Sequence, residues 1–452
     1  MQQVYEVIQL IRATASKNEK LAILKANQGN AELKQYLYLV YESSQSYYMT
    51  KIAKSETINP FCFNIDTLTE LCQKLHTRSL SGNKAKDYVA QVYQGLNEWE
   101  KDLLLCIVDR DIKAGMNVSS VNKTWPEFLT EVPYMRCSLL KDAKLSTWDF
   151  SKGVFSQIKA DGMFSNFNNT SLFKTLTRAG NSLPTEYIEH LIQDFAQLPM
   201  NMQYHGECLV VDKETNQILS RKEGNGLLNS ALKSGEFDKT RYLITVKIWD
   251  ALPLSEAKVG KKYKVSYRER FTQLEQWVKQ ANMNSVSLAE NRVVYSLEEA
   301  QQHFIEATSQ GLEGTILKHP DLLIWEDTTS KYQIKFKIKA ECELRIKEFV
   351  YGGKGKNKEL FRSLRCHSED ELLIVDVSGF TDAERKAVME KGDEIIDQII
   401  AVEFNDIISQ RGTHIKSLFL PIALEIRLDK KTADTLPQIE AIFQEAKYNI
   451  LK

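Results

Sequence analysis

The 452-residue sequence has no two cysteines at the spacing of a zinc cluster. Its seven cysteines are scattered singly, and none forms a Cys-x-x-Cys pair. Such a set argues against a zinc site and is typical of a reducing compartment. Long apolar runs are also missing: residues 1–25 lack the apolar centre of a signal peptide, and no run approaches the ~20 residues that span a bilayer. We therefore expect an intracellular protein that does not enter a membrane.

A basic excess is absent as well. The chain has 59 Lys and Arg against 60 Asp and Glu, for a net charge of -1. This balance argues weakly against a nucleic-acid partner, because such proteins often carry a basic excess. It still allows a basic face that is balanced by acidic surface elsewhere.

The composition that is present is that of a globular protein, with 43% hydrophobic and 26% charged residues. The chain is too long for one core, so we expect two or three domains. Residues 1–130 have apolar positions at helical spacing, such as Val4, Ile8 and Ile11, which predicts an all-α domain. Residues 131–340 change to short strand-like runs, typical of an α+β domain with antiparallel strands. The strands expected there are 154–158, 207–211, 242–249, 314–317 and 332–338, with a helix over 297–310.

Residues 341–452 form a third, β-rich zone. Strands are expected at 343–350, 372–377 and 399–404, with a short helix over 382–391. A small β-barrel of the OB type is the natural interpretation, although this spacing also allows other small β folds. The predicted fold class is therefore multidomain, with α and β elements in separate domains.

One tetrapeptide, Lys159-Ala160-Asp161-Gly162, follows an expected strand. Taken alone it is most often a surface lysine before an Asp-Gly turn. Further motifs that carry charged or aromatic side chains follow it in a fixed order over about 270 residues. They are Arg178-Ala179-Gly180-Asn181, His205-Gly206-Glu207, Lys247-Ile248-Trp249-Asp250, Gly311-Leu312-Glu313-Gly314, Lys335-Phe336-Lys337 and Arg427-Leu428-Asp429-Lys430.

This ordered set resembles the covalent nucleotidyltransferase superfamily of DNA ligases, RNA ligases and mRNA capping enzymes. It is most similar to the ATP-dependent DNA ligases of T-even phages, and the resemblance covers nearly the whole chain. Residues 81–83, 122–126 and 419–423 also resemble segments of those enzymes. The resemblance implies a helical DNA-binding domain (1–130), a nucleotidyltransferase or adenylation domain (131–340) and an OB-fold domain (341–452). It further implies ATP with Mg²⁺ or Mn²⁺ as cofactors and Lys159 as the residue that becomes adenylylated.

The chemistry agrees with that role for Lys159. An amine attacks a phosphate only when it is neutral, and nearby cations or desolvation favour the neutral form of a lysine. Lys335 and Lys337 alternate with Phe336, so both should lie on one face of a strand. There they could favour the neutral form of Lys159 and hold the α-phosphate oxygens of ATP. The alternative is a solvated strand face.

The resemblance assigns further side chains to the nucleotide. Glu207 and Glu313 are the candidate metal ligands, since Mg²⁺ prefers carboxylate and phosphate oxygens. Trp249 would stack on the adenine ring, although an aromatic residue at a strand end is otherwise most often core packing. Arg178 would contact the ribose or phosphate of the adenylate and the 5′-phosphate at the nick. Ile158, next to the nucleophile, is also expected at the nucleotide.

The C-terminal motif is expected to act on ATP from the last domain. In the resembling enzymes this domain closes over ATP, so that Arg427 and Lys430 would orient the pyrophosphate, and then swings away to clamp DNA. The hinge is expected near residues 340–343. One position departs from the family pattern, because Phe164 stands where an arginine is common. The basic loop 352–358 could contact a phosphate backbone, and a solvated loop explains it equally well.

The helical domain should grip DNA mainly through backbone contacts, because Gly, Ser and Asn at helix starts offer N–H groups to phosphates. Ordinary caps and turns are the alternative for any single residue. The candidates are Ser81, Gly82, Asn83, Lys84, Lys113, Gly115, Asn117 and Lys123.

These features predict a monomeric ATP-dependent DNA ligase that seals nicks in duplex DNA, in the cytoplasm of a bacterial or phage-infected cell. An RNA ligase or capping-type enzyme with the same first step is the alternative. The helical N-terminal zone favours the DNA ligase. An NAD-dependent ligase is disfavoured, because neither a nicotinamide-binding domain nor a four-cysteine site is visible. A catalytically inactive nick-binding protein fits the retained lysines and glutamates poorly.

Overall fold

The structure is a computed structural model that describes residues 1–143, 145–352, 359–409 and 413–448. These residues divide into two compact units, each assembled from separate stretches of the chain. The first unit comprises residues 1–136, 160–290 and 320–330. The second unit comprises residues 137–159, 291–319 and 331–452, within the described ranges.

The secondary-structure elements described in residues 1–135 are all helices. Val4, Ile8 and Ile11 are fully buried, as their helical spacing predicts. Asn64 and Asn97 each begin a helix with a capping box, in which side chains satisfy the backbone N–H groups of the first turn. The helices are α1 (Gln2–Ala13), α2 (Lys17–Ala26), α3 (Ala31–Tyr41), α4 (Ile65–His76), α5 (Gly82–Gly95), α6 (Glu98–Asp109) and α7 (Val118–Asn122).

Strands and helices alternate irregularly through the next part of the chain. The strands are β1 (Arg136–Leu139), β2 (Val154–Ile158), β3 (Met163–Asn169), β4 (Lys174–Thr177), β5 (Met202–Asp212), β6 (Gln217–Ile218), β7 (Tyr242–Pro253), β8 (Lys262–Tyr263), β9 (Val286–Leu288), β10 (Asn291–Val294), β11 (Gly314–Lys318), β12 (Trp325–Glu326) and β13 (Thr329–Lys337). The helices are α8 (Thr185–Phe195), α9 (Arg221–Ser234), α10 (Tyr267–Gln280) and α11 (Leu297–Ser309). The strands expected in this zone from the sequence are all present.

The first unit contains a mainly antiparallel sheet in the order β4-β3-β5-β7-β9, with β6 paired to β5. A bulge between His205 and Gly206 interrupts the pairing of β5 with β7. The inner face of the sheet buries apolar residues such as Phe167, Tyr204 and Val246 beneath the helices of the unit.

The second unit contains a sheet in the order β1-β13-β11-β2-β10, in which β13, β11, β2 and β10 pair antiparallel. The central strand β11 pairs with β13 on one side and with β2 on the other. Phe304 from α11 packs against Phe336 of β13, with ring centroids 6.2 Å apart. This packing fixes the edge at which β2 and β13 end and β11 begins.

The remaining elements of the second unit form an open five-stranded sheet, β16-β15-β14-β17-β20, and the hairpin β18-β19. A single bridge between Ser378 and Ile422 joins the two edge strands at one point, and they are not paired along their length. The strands are β14 (Ala340–Val350), β15 (Ser363–His367), β16 (Ile374–Val377), β17 (Ile399–Phe404), β18 (Asp406–Ser409), β19 (Lys416–Phe419) and β20 (Ile422–Arg427), with helices α12 (Asp382–Glu390) and α13 (Leu436–Tyr448).

The hinge expected near residues 340–343 coincides with the start of β14, and its position stays a prediction. Ala340 already pairs with Phe404, so residues 340–343 belong to β14. The residues between β13 and β14 are Ile338 and Lys339. Backbone pairing therefore leaves only these two positions outside a strand.

All seven cysteines are free thiols. Burial raises the pKa of Cys72 and of Cys208 to about 12, so both remain protonated at neutral pH. None of the helices in the described part of the chain has the length and apolar character that crossing a bilayer requires.

Candidate active site

Three strand ends of the second unit meet at one edge of its sheet. Lys159 directly follows β2, Lys337 ends β13, and Glu313 directly precedes β11 between them. The backbone N–H of Lys159 donates to the carbonyl of Gly314 at 3.0 Å, and Gly314 also pairs with Lys337. The antiparallel register therefore brings together three motifs that lie far apart in the sequence.

A carboxylate bridges two lysines at this edge. Lys159 Nζ contacts Glu313 Oε2, and Lys337 Nζ lies 3.2 Å from Glu313 Oε1. The Glu313 side chain is only 9% exposed, and both lysines are about one-fifth exposed. A carboxylate held between two cations in a partly desolvated position is a strongly coupled charge cluster.

Lys335 lies on the same face of β13 as Lys337, one pleat earlier. Both are half-buried on either side of the fully buried Phe336. Unlike Lys337, Lys335 has no salt bridge among the described residues. Ile158, the last residue of β2, is half-buried beside Lys159 and pairs with Thr315.

In the first unit, Gly162 lies against β5 where no side chain fits. A β-carbon at Gly162 would come within 2.1 Å of the carbonyl oxygen of Cys208. The Gly162 N–H donates to Glu207 Oε1 at 3.3 Å, and Asn225 donates to the Gly162 carbonyl at 3.1 Å. Asp161 forms a 2.9 Å salt bridge with Arg221 at the start of α9. The glycine is needed for this close approach to β5.

Trp249 lies half-buried on β7, and contacts on its backbone side fix its position. Tyr267 on α10 donates to the Trp249 carbonyl at 2.6 Å. The next residue, Asp250, forms a two-pronged salt bridge with Arg270, with N–O distances of 2.8 and 2.9 Å. Both side chains of this pair are 2% exposed. The pair ties the end of β7 to α10.

Phe164 on β3 is part of an aromatic cluster. Its ring centroid lies 4.5 Å from that of Tyr134 and 6.0 Å from that of Trp249. The exposed Arg178 stacks on this cluster, with its guanidinium carbon 4.4 Å from the Tyr134 centroid and 5.6 Å from the Phe164 centroid. The aromatic side chain at 164 therefore contacts a cation instead of supplying one.

The C-terminal motif of the second unit is held by a carboxylate on β14. Glu343 pairs with Arg427 at 3.1 Å and also with Lys430. Arg427 additionally binds Asp429 at 2.8 Å, and its hydrogen bonds lower the pKa of Asp429 to about 2. In this conformation both cations of the motif have protein carboxylates as partners.

The candidate DNA-binding residues of the first unit lie at helix starts and turns. Ser81 precedes α5 and makes no side-chain cap, so the N–H groups of Gly82, Asn83 and Lys84 are at an exposed helix start. Asn117 instead caps α7 by accepting from Ser120, which is the ordinary structural role. Lys113, Gly115 and Lys123 are exposed, and Lys113 pairs with Asp109 at 2.8 Å. The basic loop 352–358 lies outside the described residues except for Gly352.

Comparison with known proteins shows which proteins the chain resembles. Residues 135–337 match the family described as the ATP dependent DNA ligase domain. The chain is 29% identical to the DNA ligases of Enterobacteria phages T6 and T4, over 98% of this chain and 99% of each relative. The chain is thus similar to phage DNA ligases over nearly its whole length, and residues 135–337 match the ATP dependent DNA ligase domain.

Solved structures agree at the level of the fold. A structure named Pmar-Lig_PreS3 covers 94% of this chain and 99% of its own, with a TM-score of 0.68 and 18% identity. A second, named Pmar-Lig_Pre, covers the same shares with a TM-score of 0.69 and 17% identity. Both cover elements of the two units, so they share the mixed α and β architecture of this chain.

The described residues contain no group of three His, Cys, Asp or Glu that could hold a metal. Glu207 and Glu313 are single carboxylates, each already bonded to an N–H or an ammonium group. Mg²⁺ commonly takes one or two carboxylates and completes its shell with water and substrate phosphates. The donor type thus fits Mg²⁺ bound together with a nucleotide.

Sequence patterns missed several residues that support the site. Tyr134, Arg270 and Tyr267 belong to no motif, and their contacts arise only on folding. Glu343 was noted only as part of a hinge. Asp250 was visible beside Trp249, and a buried aspartate next to an aromatic residue was a usable signal for an ion pair.

Proposed function

We propose that this protein is an ATP-dependent DNA ligase that seals nicks in duplex DNA through an adenylylated Lys159. The observation that carries the proposal is the meeting of Lys159, Glu313 and Lys337 at one sheet edge. The order of those motifs and the relationship to phage DNA ligases support the same conclusion.

The proposed reaction has three steps. Lys159 Nζ attacks the α-phosphorus of ATP, a P–N bond forms, and pyrophosphate leaves. An oxygen of the 5′-phosphate at the nick then attacks the same phosphorus and releases Lys159. Finally the 3′-hydroxyl attacks the activated 5′-phosphate and AMP leaves. These transfers depend mainly on positioning and charge stabilisation.

Side chains at the edge supply the charge stabilisation. Lys335 and Lys337 would hold the α-phosphate oxygens, with Lys335 unpaired by any carboxylate in the described residues. Glu313 touches Lys159 Nζ and is the candidate acceptor of its proton before attack. Arg178 and Trp249 would bind the adenylate, and Arg427 and Lys430 would orient the pyrophosphate.

A divalent cation, Mg²⁺ or Mn²⁺, completes the proposed cofactor set. Glu207 and Glu313 are the candidate ligands, each offering one carboxylate beside ATP phosphates. The ion would supply positive charge to the phosphate oxygens during transfer. Binding at Glu313 would compete with the two ammonium groups that contact this carboxylate.

The domain roles remain proposals. The helical region 1–130 would bind DNA through Ser81, Gly82, Asn83, Lys84, Lys113, Gly115, Asn117 and Lys123. Residues 131–340 would form the adenylation domain. Residues 341–452 would form an OB-type domain. We further propose that the protein acts as a monomer on nicked DNA in the cytoplasm.

An RNA ligase or capping-type enzyme remains the second candidate, because it would share the first step. A labelling experiment separates the two. Protein incubated with α-labelled ATP and Mg²⁺ should carry label on Lys159, and a chase with nicked DNA should remove it. Absence of labelled protein would contradict the proposal, and release by nicked RNA but not by nicked DNA would favour the second candidate.

Gly162→Ala should misplace the nucleophile motif. The new β-carbon would meet the Cys208 carbonyl at 2.1 Å, so the Lys159-to-Gly162 turn has to move. A shift of about 1 Å at a reacting group can slow a reaction roughly 100-fold, so adenylylation should fall about 10- to 100-fold. Rapid-quench labelling measures this rate.

Gly226→Ala on α9 is the matched control, because nothing lies within 4 Å of its added β-carbon. Its labelling rate should equal that of the parent, since alanine is favoured in a helix. A normal labelling rate for Gly162→Ala would show that this close approach does not position Lys159.

Glu343→Gln should strengthen binding of ATP in the first step. Removing the carboxylate frees Arg427 and Lys430 from a partner that competes with phosphate. For partly exposed pairs we expect the KM for ATP to fall roughly two- to fivefold. Glu348→Gln on the same strand, where the carboxylate pairs with Arg365, should leave this KM unchanged. An equal change in both variants would point to a general loss of negative charge.

A further inference from the structure

Arg178 makes an unusual set of contacts for an exposed arginine. Its guanidinium stacks over Tyr134 and Phe164, the latter only 7% exposed and therefore held in place by its surroundings. The two rings meet edge to face, with a 63° angle between their planes. The arginine thus rests on a preformed aromatic surface.

The hydrogen-bonding groups of Arg178 have no acceptor in the described part of the chain. Four other arginines of the described residues that stack on tyrosines each have a carboxylate or carbonyl partner as well. They are Arg78 with Glu186, Arg110 with the carbonyl of Leu39, Arg241 with Asp212, and Arg270 with Asp250. Arg178 differs from these four in that its N–H groups are available to a ligand.

Stacking and hydrogen bonding use different parts of a guanidinium group. The rings contact its flat face, and the N–H groups point outward in its plane. Two parallel N–H groups match two oxygens of a phosphate, which is the strongest arrangement for this pair. An arginine whose flat face is stacked on rings and whose N–H groups are exposed is therefore oriented to bind a phosphate.

The turn that carries Arg178 is fixed from its other side. Gly180 has a φ of 81°, and a β-carbon there would lie 2.0 Å from Ser43 Oγ. Thr177 N–H donates to the Asn181 carbonyl at 2.9 Å, which closes the turn. Backbone packing thus limits where the Arg178 side chain can reach, and the aromatic pair sets its direction.

We infer that Phe164 and Tyr134 are positioning residues that hold Arg178 in the orientation that binds a phosphate of the reaction. The phosphate is either that of the adenylate or the 5′-phosphate at the nick. This inference rests on the proposed ligase function. Phe164 would thereby compensate for the missing family arginine by orienting a second one.

A double-mutant cycle tests this role. Phe164→Leu and Tyr134→Leu remove a ring and keep the charge of Arg178, so each should slow the phosphate-dependent step roughly three- to tenfold. In an Arg178→Ala background the same changes should alter the rate less than about twofold, because the cation to be oriented is gone. Tyr134→Phe retains the ring and should restore most of the rate lost in Tyr134→Leu.

Separate steps identify the phosphate. Slower labelling by α-labelled ATP would assign Arg178 to the adenylate, and slower transfer of AMP from labelled protein to nicked DNA would assign it to the 5′-phosphate. If the phosphate is the 5′-phosphate at the nick, the slope of log KM for DNA against log salt should become shallower in Phe164→Leu, because the phosphate contact of Arg178 is weakened. General destabilisation lowers only the active fraction of the protein and leaves this slope unchanged.

The outcomes separate the inference from the proposed function. If the parent neither labels nor seals DNA, the proposed function fails. If the parent is active and Phe164→Leu slows the reaction equally with and without Arg178, the rings act independently and the inference fails. If Phe164→Leu does not fold, as judged by circular dichroism, the Tyr134→Leu cycle decides the question.

Discussion

Lys159→Ala and Lys159→Arg should lose sealing of an ordinary nick by ATP almost completely. Neither replacement side chain can form the P–N bond, and loss of a covalent nucleophile costs on the order of 10⁴-fold or more in rate. The protein should take up no label from α-labelled ATP. A gel assay of nick sealing over a range of enzyme concentrations measures the loss.

A nick that already carries AMP on its 5′-phosphate should bypass this defect. Its sealing requires only attack by the 3′-hydroxyl, in which Lys159 forms no bond. We expect the Lys159 variants to seal it within roughly tenfold of the parent, the margin allowing for loss of the contact with Glu313. Failure on this substrate would mean that Lys159 supports the structure of the site as well.

Lys152→Ala is the matched control for both substrates. Lys152 lies seven positions upstream, is 75% exposed and pairs only loosely with Asp149 at 3.6 Å. Its replacement should change neither labelling nor sealing, because exposed pairs contribute little. Persistent labelling in Lys159→Ala at the parent level would remove Lys159 as the nucleophile.

Local patterns predicted much of the secondary structure and the order of the motifs. The strand 154–158 and the strand 399–404 were predicted with the bounds that the structure has. Alternation of Lys335, Phe336 and Lys337 depends only on the pleat of a strand, so their faces were predictable. Properties that depend on neighbours along the chain could therefore be read from the sequence.

Properties that depend on residues far away in the sequence could not be predicted in this way. The pairing of Lys159 with Glu313 joins residues 154 positions apart, and it follows from β2 and β13 flanking β11. The stacking of Arg178 on Tyr134 was invisible for the same reason. The two compact units also interleave along the chain, and no change in composition marks a discontinuous boundary. The three-domain division remains a prediction.

Arg270→Met should reduce the free energy of unfolding more than substitutions at exposed positions of the first unit. It removes the salt-bridge partner of Asp250, whose side chain is 2% exposed, and breaking a buried pair costs about 3–5 kcal/mol. Total stabilities are only about 5–15 kcal/mol, so the loss should be evident in urea denaturation. Because Asp250 follows Trp249, binding of ATP should weaken in the same variant.

Replacing both members of the ion pair by apolar residues should recover much of that stability. In Arg270→Met with Asp250→Leu no charge is buried, and such replacements are often neutral or stabilising. Arg268→Met on the same helix removes an exposed pair with Asp321 and should cost no more than about 1 kcal/mol. If Arg270→Met were as mild as Arg268→Met, the buried pair would not hold β7 to α10, and Trp249 would need another anchor. The double variant could regain stability and still bind ATP weakly. The ion pair would then be needed for the orientation of Trp249 and not for the stability of the unit.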